Sequence, residues 1–300
     1  MKKIILTTLL LGLALPAQAR ILNVVTTTTD LKSVVESIGK DKVKVFSLGD
    51  GDQNYHFLSA KPSYMVKAKK ADLFIRVGLD LEIGYESLIL DGSRNPAIRV
   101  GRQGHLDASE KIKPLDVPDK VDRSLGDIHV GGNPHYWLDP LNMKIVALSI
   151  ASRLSELSPE NRSAFEKNLA DFNMKIDLKM NEWKKKLEPY AGEKLITYHK
   201  TWTYFSGRFG FEIIGELEPK PGVPPSPSHL MNVVNMVKEN NVKIILNENI
   251  YTDDAARYVA ERSGAVVVSA PISVGGAKGT DDYFLLMDKI VQDVAGGFQP

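Results

Sequence analysis

Three histidines in this chain have the residue type and the placement expected of metal ligands. His56, His135 and His199 each follow a probable β-strand or lie in a loop flanked by aromatic residues. Imidazole is the commonest protein ligand for borderline metals, and three imidazoles with one further position form a zinc-type shell. The competing interpretation is three unrelated loop histidines that only form hydrogen bonds. Three of them on two α/β halves favour one convergent metal site.

The composition restricts the other ligands and the partners. The chain has 300 residues with six histidines and no cysteine, so imidazole and oxygen must hold any metal, and no disulfide framework is expected. The 38 basic residues balance 37 acidic ones. This balance gives no positive field for nucleic acid and no polybasic membrane patch.

The N-terminus predicts export. A basic start at Met1–Lys3 precedes an apolar run from Ile4 to Leu15 and a small-residue cleavage pattern that ends at Ala19. The run is shorter than the roughly 20 residues that a membrane span needs, which argues against an uncleaved anchor. No cysteine follows the cleavage site to carry a lipid. We expect a mature protein that begins at Arg20 and is free in the periplasm.

Strand and helix patterns alternate along the mature chain. Runs rich in β-branched residues predict strands at 21–28, 42–48, 71–78, 97–100, 194–198, 211–217, 242–247 and 265–269. Stretches of helical periodicity lie between them, with Asp30 and Ser228 expected as helix caps. Strands separated by helices favour parallel sheets covered on both faces. The fold class is therefore α/β, with two lobes that each hold a mostly parallel sheet with flanking helices.

The longest helical pattern separates the two halves. It begins at Ser158-Pro159 and continues to Leu187 without internal glycine or proline, with an apolar stripe at Phe165, Leu169, Phe172, Ile176, Leu178 and Trp183. A coiled-coil dimer arm is the alternative, but sheet patterns on either side favour a rigid connection between lobes. We expect a signal peptide over 1–19, an N-terminal lobe over 20–157, a linking helix over 158–190 and a C-terminal lobe over 191–300. Ligands of open α/β sheets bind beyond the carboxyl ends of the strands, which places the metal in the cleft between the lobes.

The sequence around each histidine resembles the metal-specific solute-binding proteins of bacterial ABC transporters, the zinc- and manganese-binding group called cluster A-I or cluster 9. The matching segments cover nearly the whole mature chain and include 54–57, 70–74, 133–140, 198–199, 227–230 and 245–248, of which His135-Tyr136-Trp137-Leu138-Asp139-Pro140 is the most specific. The resemblance implies two α/β lobes joined by one long helix, with the ligands mapping onto His56, His135 and His199. It also implies a non-enzymatic monomer that delivers a divalent metal to a permease transmembrane subunit with its cytoplasmic ATPase.

The residue type of the third ligand indicates which metal the site prefers. Family members that look selective for manganese tend to have a carboxylate there, and zinc-type members have histidine. His199 therefore favours Zn²⁺ over Mn²⁺, in line with the preference of zinc for imidazole. Affinity order alone leaves Cu²⁺ and Ni²⁺ open.

The sequence departs from the family pattern in two places. The acid that usually follows the last strand is absent from Ser269-Ala270-Pro271-Ile272-Ser273, so the fourth position falls to water or to Glu248, for which we favour a structural role. The His- and acid-rich loop before the second histidine is reduced to residues 127–132, where His129 is at most a weak auxiliary ligand. Asp139 is either an acceptor that orients His135 or, as we favour, a helix cap. His105 and His229 are assigned to structure.

Two other functions remain open at this stage. A secreted zinc hydrolase also uses three histidines and a water, with Glu248 as the one obvious general base, but no His-Glu-x-x-His motif is present. A binding protein for a metal chelate or another organic solute is the second, kept open by the missing fourth carboxylate. A hydrolase would turn over model esters or peptides, and a chelate binder would hold free zinc weakly.

Overall fold

The fold, seen in a computed structural model that describes residues 20–118 and 129–299, contains two parallel sheets with the same strand order. The first sheet has the order β2-β1-β3-β4 and the second has the order β6-β5-β7-β8. Their strands are β1 (Leu22–Thr26), β2 (Val43–Ser47), β3 (Leu73–Arg76), β4 (His105–Asp107), β5 (Lys194–Thr197), β6 (Glu212–Glu216), β7 (Ile244–Glu248) and β8 (Val266–Ala270). The predicted α/β class with two parallel sheets is thus confirmed. The predicted signal peptide over 1–19 lies outside the described residues.

Helices cover the sheets and connect them. In chain order they are α1 (Thr29–Gly39), α2 (Pro62–Lys69), α3 (Glu86–Ser93), α4 (Pro140–Leu157), α5 (Arg162–Leu187), α6 (Thr203–Phe209), α7 (Pro227–Asn240), α8 (Asp254–Ser263) and α9 (Tyr283–Gly297). None of the helices in the described ranges is long and apolar enough to cross a membrane. Apolar residues fill the space between helices and sheets, and the largest buried side chains include Trp137, Trp183 and Trp202.

The 26-residue helix α5 links the lobes, as the uninterrupted helical pattern predicts. It packs on α1 and α4 of the first lobe and on α9 near the end of the chain. Trp183 is buried in this contact, and its indole N–H donates to Asp288 of α9 at 2.7 Å. Leu178, predicted to lie in the apolar stripe, is 61% exposed instead. The position two residues after Ile176 faces away from the buried side of the helix, since residues three or four apart share a face.

The fourth strand of the first sheet is not where the sequence pattern places it. The segment predicted as a strand at 97–100 begins in a short 3-10 turn over Pro96–Ile98, and the strand beside β3 is β4. Asn95 explains the difference, because its side-chain oxygen accepts from the Ala97 amide while its side-chain amide donates to the carbonyls of Ala68 and Ala71. His105 lies in β4, where its imidazole contacts the Glu86 carboxylate at 2.8 Å.

Two helix starts also differ from the predicted caps. Thr28, rather than Asp30, caps α1 by accepting from the Leu31 amide, and Ser226, rather than Ser228, caps α7 by accepting from the His229 amide. In both cases the helix begins earlier than the apolar periodicity indicates. Asp30 is buried in the first turn of α1, and its carboxylate accepts from the Val274 amide in the loop after β8 at 3.0 Å. It therefore connects the two lobes.

Candidate metal site

The loop after β2 positions His56 through a local cap. Asn54 accepts a hydrogen bond from the His56 backbone amide at 3.0 Å, which starts a 3-10 turn over Tyr55–Phe57. Tyr55 is buried against the Trp137 ring, so the turn cannot rotate freely. The amide of Asn54 also donates across the cleft to the Tyr251 hydroxyl at 3.2 Å. Asn54 thus fixes the backbone of His56 and also contacts the opposite lobe.

His135 is held in the same way by Asn133. The Asn133 side-chain oxygen accepts from the backbone amide and from ring Nδ1 of His135, both at 2.9 Å. Buried aromatic residues fix the following 3-10 turn, because Tyr136 donates to the Val77 carbonyl and Trp137 donates to the Ile272 carbonyl. Since Nδ1 is occupied, Nε2 is the atom that His135 offers to a ligand.

His199 follows β5 and is held by two carboxylates. Its backbone amide donates to Oε1 of Glu248 at 3.3 Å, and its ring Nδ1 lies 2.5 Å from Oε2 of Glu218. A carboxylate oxygen accepts a hydrogen bond, so Nδ1 carries a proton and Nε2 is the ring atom left to face a metal. The side chains of His199 and Glu218 are 6% and 8% exposed.

The three histidines meet at one point in the cleft. One ring nitrogen from each of His56, His135 and His199 lies within 4.8 Å of the other two, and no further group of three potential ligands occurs in the described ranges. The Nε2 atoms of His56 and His135 are 3.2 Å apart. Tetrahedral zinc with bonds of about 2.05 Å to nitrogen needs neighbouring ligand atoms about 3.3 Å apart. The distance between the His56 and His135 nitrogens therefore fits two ligands of one zinc-sized ion.

A small cavity lies at this meeting point. Its volume is about 10 Å³, and its lining consists of Asn54, Tyr55, His56, Leu81, His135, Trp137, His199, Thr201, Ile250, Tyr251 and Ile272. That volume matches about one water-sized sphere, whereas pockets for organic ligands measure roughly 300–1,000 Å³. The cavity accommodates an ion and has no room for a chelate or another organic solute.

The surroundings keep two of the imidazoles neutral. Burial lowers the pKa of His56 well below its usual value, and the neighbouring His199 and His129 lower it further. Burial also lowers the pKa of His135, assisted by His56, His199 and His129. Protonated imidazole cannot bind a metal, so both rings have their lone pairs available at neutral pH.

The other predicted site residues lie around this cluster and not in it. Glu248 is buried beneath His199, and burial raises the pKa of its carboxyl to about 7, but it is not among the residues that line the cavity within the described ranges. Asp139 caps α4 by accepting from the Leu141 amide and forms a two-point ion pair with Arg208. The His129 ring lies 4.9 Å from the His56 ring, so it borders the site. His229, on α7, contacts the Glu216 carbonyl.

Sequence reasoning missed three residues that hold the candidate ligands. Asn54 and Asn133 both stand two positions before a ligand histidine, and the repeated Asn-x-His spacing signals a short turn in which the asparagine side chain accepts from the histidine amide. This pattern was available from the sequence. Glu218 had no local signal, because it lies 19 residues from His199 and reaches it only through the pairing of β5 with β6.

Comparison with known proteins places this architecture among metal-uptake components. The family described as zinc-uptake complex component A, periplasmic, matches residues 24–297. The iron-binding protein YfeA of Yersinia pestis is 25% identical over 285 residues, which cover 93% of this chain and 87% of the relative. The manganese ABC transporter substrate-binding lipoprotein PsaA of Streptococcus pneumoniae is 25% identical over 282 residues, 92% of this chain and 88% of the relative. A crystal structure of ZnuA superposes with a TM-score of 0.78 at 25% identity, covering 93% of this chain and 99% of that one.

Proposed function

This chain belongs to the family of periplasmic zinc-uptake components, and we propose that it captures one Zn²⁺ ion and delivers it to an ABC-type permease. The two relatives are named for iron and manganese and the family for zinc uptake, so membership supports a divalent transition metal and leaves the choice of metal to the site. The observation that carries the proposal is the cluster of three histidine nitrogens within 4.8 Å of one another.

The donor set supports zinc. The three nitrogen donors come from His56, His135 and His199, and imidazole suits zinc whereas manganese prefers oxygen ligands. We assign the fourth position to a water, with the hydroxyl-bearing residues Thr201 and Tyr251 in the cavity wall as its neighbours. Glu248 acts from behind His199, and His129 is an auxiliary residue at the border of the site.

The small cavity separates this function from its two rivals. A chelate or organic solute needs a far larger pocket than about 10 Å³. A zinc hydrolase needs an open coordination position for the substrate and a general base near the bound water. Glu248, the one obvious base in the sequence, accepts from the His199 amide and lies outside the cavity lining among the described residues. Capture of a bare ion is the function that fits.

The remaining parts of the proposal concern the cell. The mature protein begins at Arg20 after cleavage of the leader, works in the periplasm as a monomer, and hands its ion to the transmembrane subunit of a permease driven by a cytoplasmic ATPase. Lobes over 20–157 and 191–300, joined by the helical segment 158–190, provide the two sides of the cleft. The ligands His56 and His135 come from one lobe and His199 from the other, so separation of the lobes would break the shell.

Calorimetric titration of metal-free protein with zinc tests the proposal. We expect one ion per chain, with tight binding abolished when His56, His135 and His199 are all changed to alanine. His229→Ala is the matched control, because this histidine lies outside the cluster and should leave the affinity unchanged. An unchanged isotherm in the triple variant, or no binding by the parent protein, would refute the assignment.

A further inference from the structure

The carboxylate of Glu218 contacts the ring of His199, one of the three candidate ligands. Its Oε2 lies 2.5 Å from Nδ1 of His199, and the two side chains are 8% and 6% exposed. For His135 the corresponding acceptor is the neutral side-chain oxygen of Asn133 at 2.9 Å. Hydrogen bonds to an ionised acceptor are shorter and about twice as strong as neutral ones. The Nδ1 atom of His199 therefore has a carboxylate acceptor, whereas that of His135 has a neutral amide acceptor.

An irregularity in the second sheet places Glu218 opposite His199. Leu195 pairs with Ile213, but Ile196 pairs with Gly215, so the register of β5 against β6 shifts by one residue. Thr197 then pairs with Glu216, and the same offset continued by two residues sets Glu218 beside His199. Without the shift, Leu217 would occupy that position. Such bulges redirect side chains at the ends of strands.

The surrounding backbone fixes the carboxylate in place. The Glu218 amide donates to the Tyr198 carbonyl at 2.9 Å, directly before His199. Its second oxygen, Oε1, accepts from the Gly222 amide at 2.7 Å. Gly222 has a φ of +77°, a left-handed conformation that favours glycine. In this conformation the Gly222 N–H points at the Glu218 carboxylate. Both oxygens of Glu218 are thus occupied by fixed donors.

We infer that Glu218 is a positioning residue of the metal site, which holds His199 with its proton on Nδ1 and Nε2 facing the ion, and which supplies negative charge to an all-imidazole shell. The inference rests on the proposed function, because it assigns His199 as a ligand. Three neutral imidazoles leave both positive charges of the ion uncompensated. A carboxylate behind one ligand raises the basicity of that ligand and lowers the cost of holding the cation.

Among the described residues, carboxyl groups contact the candidate ligands from the C-terminal lobe. Glu218 contacts the ring of His199, and the Glu248 carboxyl contacts its backbone amide. On the other lobe, Asn54 contacts the His56 backbone amide and Asn133 contacts the amide and ring of His135, and both are uncharged. Among the three candidate ligands, we therefore expect the metal affinity of His199 to depend most on the residue that contacts its ring, Glu218.

The test compares three single variants for zinc affinity by competition with a coloured chelator. Glu218→Gln keeps an acceptor of similar shape and removes the charge, and we expect binding about 10-fold weaker. Glu218→Ala removes the acceptor as well, and we expect a loss approaching about 100-fold. Glu212→Gln, at an exposed position at the start of β6, is the matched control and should bind as the parent does.

Nitrogen NMR of the imidazoles in metal-free protein gives a readout that a purely structural role would not change. The parent should show His199 with its proton on Nδ1, and Glu218→Ala should show a mixture of tautomers. Urea unfolding of Glu218→Ala should show that the variant is still folded. Parent-like affinity together with an unchanged tautomer in both Glu218 variants would overturn this inference alone. Failure of the parent to bind zinc would overturn the proposed function and this inference with it.

Discussion

The side-chain amide of Asn133 donates to the backbone carbonyl of Lys200 at 2.6 Å. Asn133 also orients His135 through its side-chain oxygen, and Lys200 directly follows His199. One residue thus connects the position of a ligand in the first lobe to the backbone beside a ligand in the second. The Tyr204 hydroxyl strengthens this connection by donating to the Asn133 carbonyl and accepting from the Leu115 amide. Closure of the lobes and alignment of the ligands are therefore structurally linked.

Replacing Asn133 should weaken both zinc binding and the fold. Asn133→Ala leaves Nδ1 of His135 without its acceptor and removes the contact to Lys200, so we expect a 10–100-fold loss of affinity. The lost buried hydrogen bonds should lower the free energy of unfolding by about 1–3 kcal/mol. Chelator competition and urea unfolding measure the two effects. Asn181→Ala, at an exposed position of α5, is the control, and parent-like affinity in Asn133→Ala would contradict the linkage.

Asp30 should make the protein less stable as the pH rises from acid to neutral. Burial raises the pKa of this carboxyl from 3.8 to about 7. An acid whose pKa is raised by folding holds its proton more tightly in the folded state, so its favourable contribution is complete below about pH 4 and is lost as the pH rises through about 7. The free energy of unfolding should fall by at most about 4 kcal/mol over this pH range, because one pKa unit corresponds to about 1.36 kcal/mol.

Urea unfolding of Asp30→Asn between pH 4 and pH 8 isolates this contribution. The parent should lose stability relative to the variant across that range, because asparagine cannot ionise. The comparison removes the shared effect of Glu82 and Glu248, whose pKa values burial also raises to about 7. Asp91→Asn, at an exposed position, should follow the parent curve. Parallel curves for the parent and Asp30→Asn would show that Asp30 is not responsible.

Trp183 should matter for stability and not for the affinity of the site. Its buried ring fills the contact between α5 and α9, and its indole donates to Asp288. Trp183→Ala should lower the free energy of unfolding by about 3–5 kcal/mol through the cavity that it leaves. Met174→Ala, at a position of α5 that is 59% exposed, should change it by about 0.5 kcal/mol or less. If Trp183→Ala unfolded at the parent's urea midpoint, α5 would not be packed as described.

The metal site should discriminate strongly against manganese. Mn²⁺ gains little from three imidazoles, whereas Zn²⁺ prefers them. We expect a roughly 100-fold excess of Mn²⁺ to leave more than about nine-tenths of the bound zinc in place. Metal analysis of the protein after dialysis against the mixture measures the retained zinc. Replacement of most of the zinc by manganese would mean that protein carboxylates complete the shell.

The sequence predicts the fold and the ligand cluster for the same physical reason. Parallel strands bring their carboxyl ends to one edge, so His199 after β5 and Glu248 at the end of β7 had to be neighbours. The strand prediction at 97–100 was wrong because the Asn95 side chain forms hydrogen bonds with the backbone, and these bonds stabilise a turn there. Glu218 was not predictable, because a one-residue register shift that no local pattern reveals decides whether it or Leu217 faces His199.

Anomalous diffraction at the zinc absorption edge, from crystals of the zinc-loaded protein, would locate the ion and its ligands. We expect a single ion in the cleft, with the Nε2 atoms of His56, His135 and His199 at about 2.0–2.1 Å and one further small ligand. An ion bound elsewhere, or one coordinated by fewer than all three histidines, would contradict this expectation.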